Sequence, residues 1–174
     1  ERQWDKIFSD QEGRSYVAVI LVTTTFVFFA LISQGSSIDE GLFDSLFTVI
    51  SIGTSTGYTN SDYMLWPVVT HILLFLLMIV GACAGSTSGG LKLMRVTLAL
   101  KVAWREIGRI AQPKRIFRIR MNGEVVENER LGLIVGMLFV WTGLFAISCI
   151  VLAITMPDSD FESVVAVVAS SLGN

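Results

Sequence analysis

The chain has 174 residues, 52% of them hydrophobic and 16% charged, at a mean hydropathy of +0.64. Ordinary soluble domains carry about 25% charged residues, so disorder, a collagen-like repeat and a polyanion-binding protein are excluded and the bilayer is the first expectation. The net charge of -2 points to no partner, but its distribution along the chain is informative.

Residues 1–14 form a polar, mixed-charge N-terminal segment, and no formally charged residue occurs from Ser15 to Ile38. A crossing takes about 20 predominantly apolar residues, so 15–38 reads as a span. It is too long for a cleaved signal peptide and lacks a small-residue cleavage site after it. The outer segment 39–62 is apolar in its middle, where Gly41 to Ile52 predicts a helix of about 12 residues and about 18 Å. Such a helix reaches only halfway across a bilayer.

A second uncharged stretch, 63–91, begins with Trp66 and Pro67 at the outer interface and ends in Gly81-Ala82-Cys83-Ala84-Gly85-Ser86-Thr87-Ser88-Gly89-Gly90, ten residues without a large side chain. One reading is a broken helix whose intramembrane loop 81–90 can move. The other is close helix packing through the G-x-x-x-G spacings Gly81 to Gly85 and Gly85 to Gly89. Adjacent glycines and hydroxyls favour the loop, whereas Gly132 to Gly136 is read as packing. A phosphate loop is rejected because Gly90 and Lys92 are not adjacent and Leu93 replaces the hydroxyl residue.

Segment 92–130 holds ten of the thirteen Lys and Arg residues, while 36–66 and 157–174 hold none. The positive-inside rule therefore places the N-terminus and 92–130 in the cytoplasm. This is topology charge rather than a nucleic-acid patch, and no nucleic-acid partner is expected. Asn122-Gly123 predicts a type I′ turn and a small cytosolic β-hairpin pairing Ile119 with Val126 and Arg118 with Glu127. The third span is 131–157. Segment 158–174 starts with acids and continues into a second short apolar helix. His71 is the one histidine and Cys83 and Cys149 the two cysteines, so neither a disulfide framework nor a catalytic constellation is expected, and the protein does not read as an enzyme.

A span, an acidic outer segment and a half-depth helix thus occur twice, with Phe43-Asp44-Ser45 and Phe161-Glu162-Ser163 read as the two helix openings. Irregular backbone following a half-depth helix survives only inside protein or beside a water-filled cavity, which a re-entrant pore loop satisfies. The negative end of the helix dipole then favours a cation. Gly57 and Gly173 allow backbone that turns carbonyls toward one axis. Seven outer acids, Asp39, Glu40, Asp44, Asp62, Asp158, Asp160 and Glu162, would concentrate cations at a mouth, and five of them also suit helix starts.

Three sets of residues carry a resemblance: Thr54-Ser55-Thr56-Gly57-Tyr58, the Gly81 to Gly90 run followed by Leu91-Lys92, and Ser171-Leu172-Gly173-Asn174. In their order and spacing the chain resembles the pore subunits of the Trk/Ktr/HKT potassium transporter family, on its TrkH-like side, and the connection Pro113 to Val126 also looks like its counterpart there. The resemblance implies an all-α polytopic membrane protein of span, re-entrant pore loop, span units around a pseudo-fourfold pore. Three spans and two pore helices would be present, corresponding to the third unit and part of the fourth, with two pore loops expected upstream and a span downstream.

By position, Ser55, Thr56, Gly57 and Tyr58, with Ser171, Leu172, Gly173 and Asn174, would be two of four filter walls binding K+ through carbonyls. Gly81, Gly85, Ser86, Thr87, Ser88, Gly89 and Gly90 would belong to the gate loop. K+ would be the transported ion, with no covalent cofactor. The resemblance further implies the lipid bilayer of a bacterial inner membrane, a homodimer of the full-length pore subunit, and a cytosolic nucleotide-binding regulatory subunit (TrkA/KtrA-like). The alternative, a subunit of a tetrameric cation channel, needs identical copies with one filter each.

Overall fold

The computed structural model describes residues 10–86, 89–112 and 118–173. Residues 1–9 of the N-terminal segment, Thr87 and Ser88 of the glycine-rich run, 113–117 of the cytosolic connection, and Asn174 lie outside the described residues.

Helix α1 runs Gln11–Ser33, capped by the Asp10 carboxylate, which accepts the Gly13 N–H at 3.3 Å. It stops five residues short of the predicted Ile38 because Gly35, at φ +96, reverses the chain. The Gly35 N–H donates to Ile32 O at 3.0 Å and the Ser36 N–H to Leu31 O at 3.3 Å, the paired bonds of a Schellman stop. Helix α2, Ile38–Gly53, starts three residues before the predicted Gly41 and has 16 residues, hence a length of about 24 Å. Ser37 sets that start: its Oγ accepts the Glu40 N–H at 3.3 Å and donates to the Glu40 carboxylate at 2.8 Å, an S-x-x-E capping arrangement. Phe43 consequently lies in the second turn, whereas Phe161 does open its helix.

A 3-10 turn, Tyr63–Leu65, leads into α3, Val68–Val80, with 13 residues. The predicted span 63–91 is therefore not one long helix. Thirteen residues cover about 20 Å of a hydrocarbon layer about 30 Å thick, and irregular chain accounts for the rest. Helix α4 is Leu93–Ala111, α5 is Asn128–Thr155 and α6 is Phe161–Gly173. Of these helices, α1 (23 residues) and α5 (28 residues) are long and apolar enough to cross a membrane.

Strands β1, Arg120–Met121, and β2, Glu124–Val125, form the predicted hairpin. Arg120 pairs with Val125 and Met121 with Glu124, and the Val126 N–H donates to Ile119 O at 3.0 Å. This is the expected register. Asn122 at φ 48 and Gly123 at φ 85 supply the two left-handed residues of the turn.

Two clusters organise the packing. Val27 and Leu31 of α1, Val49 of α2, and Leu74 and Leu77 of α3 form one, with Ile20, Ile52 and Trp66 around it. The second joins Leu98 of α4, Ile119 and Met121 of the hairpin, and Leu131 of α5, so the hairpin is seated on α4 and α5. Its tip also meets the start of α1: Asn122 Nδ2 donates to Asp10 at 2.8 Å and the Gln11 N–H donates to Asn122 Oδ1 at 3.0 Å. The Asn122 amide holds the Asp10 carboxyl below the usual carboxylate range against the opposing effect of burial, with lesser help from the Gly13 and Glu12 N–H groups.

Candidate functional site

Helix α2 ends at Gly53, and the chain then hooks back on the last turn. Thr54 is the cap, Ser55 sits in the left-handed region at φ 57, and Gly57 follows at φ 75. The Ser55 N–H donates to Ile52 O at 3.0 Å; the N–H groups of Thr56 and Gly57 both donate to Ser51 O, at 2.8 and 3.3 Å. In a planar trans peptide the carbonyl points opposite to the N–H of the same unit. With three successive N–H groups aimed at α2, the carbonyls of Thr54, Ser55 and Thr56 are turned away from it.

Tyr58 behaves differently from its neighbours. Its carbonyl oxygen accepts a hydrogen bond from Ser51 Oγ at 2.7 Å, so it faces back to α2, while the residue as a whole is 72% exposed. Thr54 Oγ1 lies 2.7 Å from Thr56 Oγ1 and donates to Ile50 O at 2.7 Å, tying the hook's hydroxyls to the helix.

The second segment stays helical. Ser171, Leu172 and Gly173 are the last described turn of α6, and Ser171 Oγ donates to Val167 O at 2.8 Å. Expected as the beginning of an irregular wall, these residues instead continue the hydrogen-bonding pattern of the helix. A Cβ on Gly173 would lie 2.9 Å from Met78 O, so only glycine lets α6 approach the end of α3 this closely.

Both segments border one open cavity of about 400 Å³, lined by Ser55, Thr56 and Gly57, by Ser170, Ser171 and Gly173, and by Ile52 and Met78. Tyr58 and Leu172, expected at the same site, do not line it. The C-terminal ends of α2 and α6 both reach this cavity, so two negative dipole ends favour positive charge there. A larger open groove, about 590 Å³, lies away from it between the hairpin tip and α1, at Gln11, Arg14, Ser15, Ala18, Asn122 and Gly123.

Beside the cavity the glycine-rich run closes on itself. Gly81, at φ +67, ends α3, and a Cβ there would be 2.7 Å from Gly89 O; Gly90, at φ +74, would place a Cβ 3.0 Å from Ile79 O. The Leu91 N–H donates to Ile79 O at 3.1 Å and the Leu93 N–H to Ala82 O at 3.2 Å. The packing of Gly81 is thus against its own loop. Gly85, by contrast, has nothing within 4 Å. The Gly90 N–H donates to Leu172 O at 3.3 Å, linking the loop to the end of α6.

Further hydrogen bonds hold Ala84 and Ser86 of the run. The Ala84 N–H donates to Glu12 of α1, Ser86 Oγ donates to Cys83 O at 2.7 Å, and Lys92 Nζ donates to Ser86 O at 2.8 Å. Across the structure, Gly132 and Gly136, read as a packing pair, meet nothing within 4 Å. The face of α5 that carries them is open among the described residues. His71 is a contact between helices, with Nδ1 3.0 Å from the Glu162 carboxylate and Nε2 2.8 Å from Tyr63 O.

The sequence reading missed Ser51 and Glu12. Ser51 had a signal: Ser45, Thr48 and Ser51 recur every three residues along the otherwise apolar second half of α2, and all are buried. Glu12 had none, because its partner is 72 residues away.

Comparison with known proteins gives a consistent outcome. The family model TrkH, described as a cation transport protein, matches residues 15–174. The Trk system potassium uptake protein TrkH of Halomonas elongata is 34% identical over 124 residues, 70% of this chain and 26% of that protein. The Trk system potassium uptake protein TrkH of Salmonella typhimurium is 28% identical over 165 residues, 92% of this chain and 34% of that protein. The crystal structure of the potassium transporter TrkH from Vibrio parahaemolyticus superposes with a TM-score of 0.86 at 26% identity, covering 95% of this chain and 36% of that one. The chain therefore spans only about a quarter to a third of the length of these relatives.

Proposed function

Because this chain belongs to the TrkH family of cation transport proteins, we propose that it is part of a potassium uptake pore in a bacterial inner membrane, with potassium as cargo. The observation that supports this most directly is the shared cavity. Two segments, Ser55–Gly57 and Ser170–Gly173, border it from the C-terminal ends of two short helices. In this reading they are two walls of a filter whose carbonyls replace part of the ion's hydration shell. Thr54, Ser55 and Thr56 supply the carbonyls turned away from α2. Tyr58, its carbonyl held by Ser51, serves as the wall's anchor rather than as a ligand.

The run from Gly81 to Gly90 acts as the gate below the filter. Its hydrogen bond from Gly90 to Leu172 puts any loop displacement next to the second wall. Two different segments at one cavity suit a pore assembled from unequal units within a chain, rather than a tetramer with one filter segment per subunit. The basic segment 92–130 is the docking face for a cytosolic nucleotide-binding regulatory subunit, and the complete protein forms a homodimer.

Gly57 offers the decisive test. Nothing lies within 4 Å of a Cβ built there, but its φ of +75 disfavours any L side chain, so a substitution acts on backbone geometry and not through a clash. In the complete protein, expressed in cells that depend on it for potassium, Gly57→Ser is expected to lower the potassium-to-sodium uptake ratio about tenfold, the effect of about 1.4 kcal/mol in ion discrimination. An unchanged ratio with normal expression would remove the filter reading.

A further inference from the structure

Ser51 is neither in the loop segment nor at the cavity, yet it holds that segment at three points. It is 5% exposed and sits in the last turn of α2. Its carbonyl receives the N–H groups of Thr56 and Gly57, and its hydroxyl donates to Tyr58 O at 2.7 Å. The two bonds from Thr56 and Gly57 orient the cavity-side peptides. The hydroxyl bond captures the Tyr58 carbonyl, two residues beyond Thr56, and turns it back toward α2.

A backbone carbonyl in a flexible loop can rotate toward a passing cation, and an added ligand alters which ion size the ring fits best. The Tyr58 carbonyl is open to such rotation, since the residue is exposed and Gly57 before it is conformationally permissive. Among the described residues the Ser51 hydroxyl is the donor to that oxygen.

We propose that Ser51 is a positioning residue for ion selectivity, keeping the Tyr58 carbonyl out of the ion path and so fixing where the first wall ends. This rests on the reading of 55–57 as a filter wall. Backbone bonds to the Ser51 carbonyl survive any side-chain change at this position, so a hydroxyl-deleting variant isolates the Tyr58 contact. Ser45 provides a matched control: it is fully buried on the same helix, but its Oγ donates to Leu42 O within the helix.

The experiment compares Ser51→Ala, Ser51→Thr and Ser45→Ala in the complete protein, measuring the potassium-to-sodium uptake ratio together with membrane abundance. Ser51→Ala should lower the ratio about fivefold, the factor of one ordinary intramolecular hydrogen bond. Ser51→Thr, which retains the donor, should restore it, and Ser45→Ala should leave it unchanged. A normal ratio in Ser51→Ala, or equal losses in Ser51→Ala and Ser45→Ala, would overturn the proposal while leaving potassium uptake itself standing. Absence of potassium preference in the unsubstituted protein would remove the filter reading and this inference with it. If Ser51→Ala fails to reach the membrane, Ser51→Cys substitutes a weak S–H donor, and the ratio should fall between those of Ser51→Thr and a complete loss of selectivity; a Cys variant equal to wild type would sink the idea.

Discussion

At Gly81 the backbone sits at φ +67, and a methyl group would lie 2.7 Å from the Gly89 carbonyl oxygen; at Gly85, four residues on in the same run, nothing lies within 4 Å. Backbone strain of this type costs about 1–3 kcal/mol, and the contact adds to it because a carbonyl of the main chain cannot rotate aside. Gly81→Ala should therefore lower the thermal stability of the complete protein by about 2 kcal/mol or more, while Gly85→Ala stays within about 0.5 kcal/mol, as at an open surface position. Thermal unfolding in detergent distinguishes them, and equal losses would contradict the loop geometry. The sequence marks this run as a helix breaker through its composition, but it weights the glycines equally. Which of them is indispensable depends on where the chain crosses itself, and that crossing is a tertiary fact.

Helix contacts show the same distinction between close approach and real constraint. A Cβ at Gly53 would come within 2.7 Å of the Ile20 terminal methyl, and one at Gly173 within 2.9 Å of the Met78 carbonyl oxygen. The distances are similar and the consequences are not. Ile20 can change rotamer at a cost of about 1 kcal/mol, whereas Met78 O belongs to the frame of α3. Gly173→Ala should separate α6 from α3 and reduce stability by about 1–3 kcal/mol, and Gly53→Ala should cost about 1 kcal/mol or less. Placing Ile20→Val behind Gly53→Ala should recover part of that loss; no equivalent side-chain change should rescue Gly173→Ala. Melting temperatures of these three variants check both statements, and comparable losses at the two glycines would refute them. Elements set by local chemistry were legible beforehand. Asn122-Gly123 fixed the hairpin register, and the Ser37 to Glu40 spacing carried a capping signal that the reading of Gly41 as the helix start overlooked. The hook after α2 was only half legible: Gly57 announced a backbone reversal, but the capture of Tyr58 O by Ser51 requires the hook to have closed.

The described chain leaves many large apolar side chains uncovered, including Phe26 and Phe29 on α1 and Phe139 and Ile154 on α5, each more than 60% exposed. Surfaces of that kind are stable against lipid or other membrane helices and not against water. Two groups of polar contacts tie distant parts of the chain together. One unites Asp10 and Gln11 with the hairpin tip at Asn122; the other unites Tyr63, His71 and Glu162. The start of α1 and the hairpin therefore share a face, as the charge distribution requires, and α5 carries the chain from the hairpin toward the start of α6. Charge alone sets the absolute direction. Ten of thirteen Lys and Arg residues lie in 92–130, so that face should be cytoplasmic. In the complete protein with every native cysteine, Cys83 and Cys149 among them, replaced by alanine, a single cysteine at exposed Asp158 should react with a membrane-impermeant thiol reagent added to spheroplasts. A single cysteine at exposed Glu124 should react only after the membrane is permeabilised. The reverse pattern would invert the topology and put the cavity's two negative helix ends on the wrong approach for inward cation flow; labelling of both from outside would show that α5 does not cross the membrane at all.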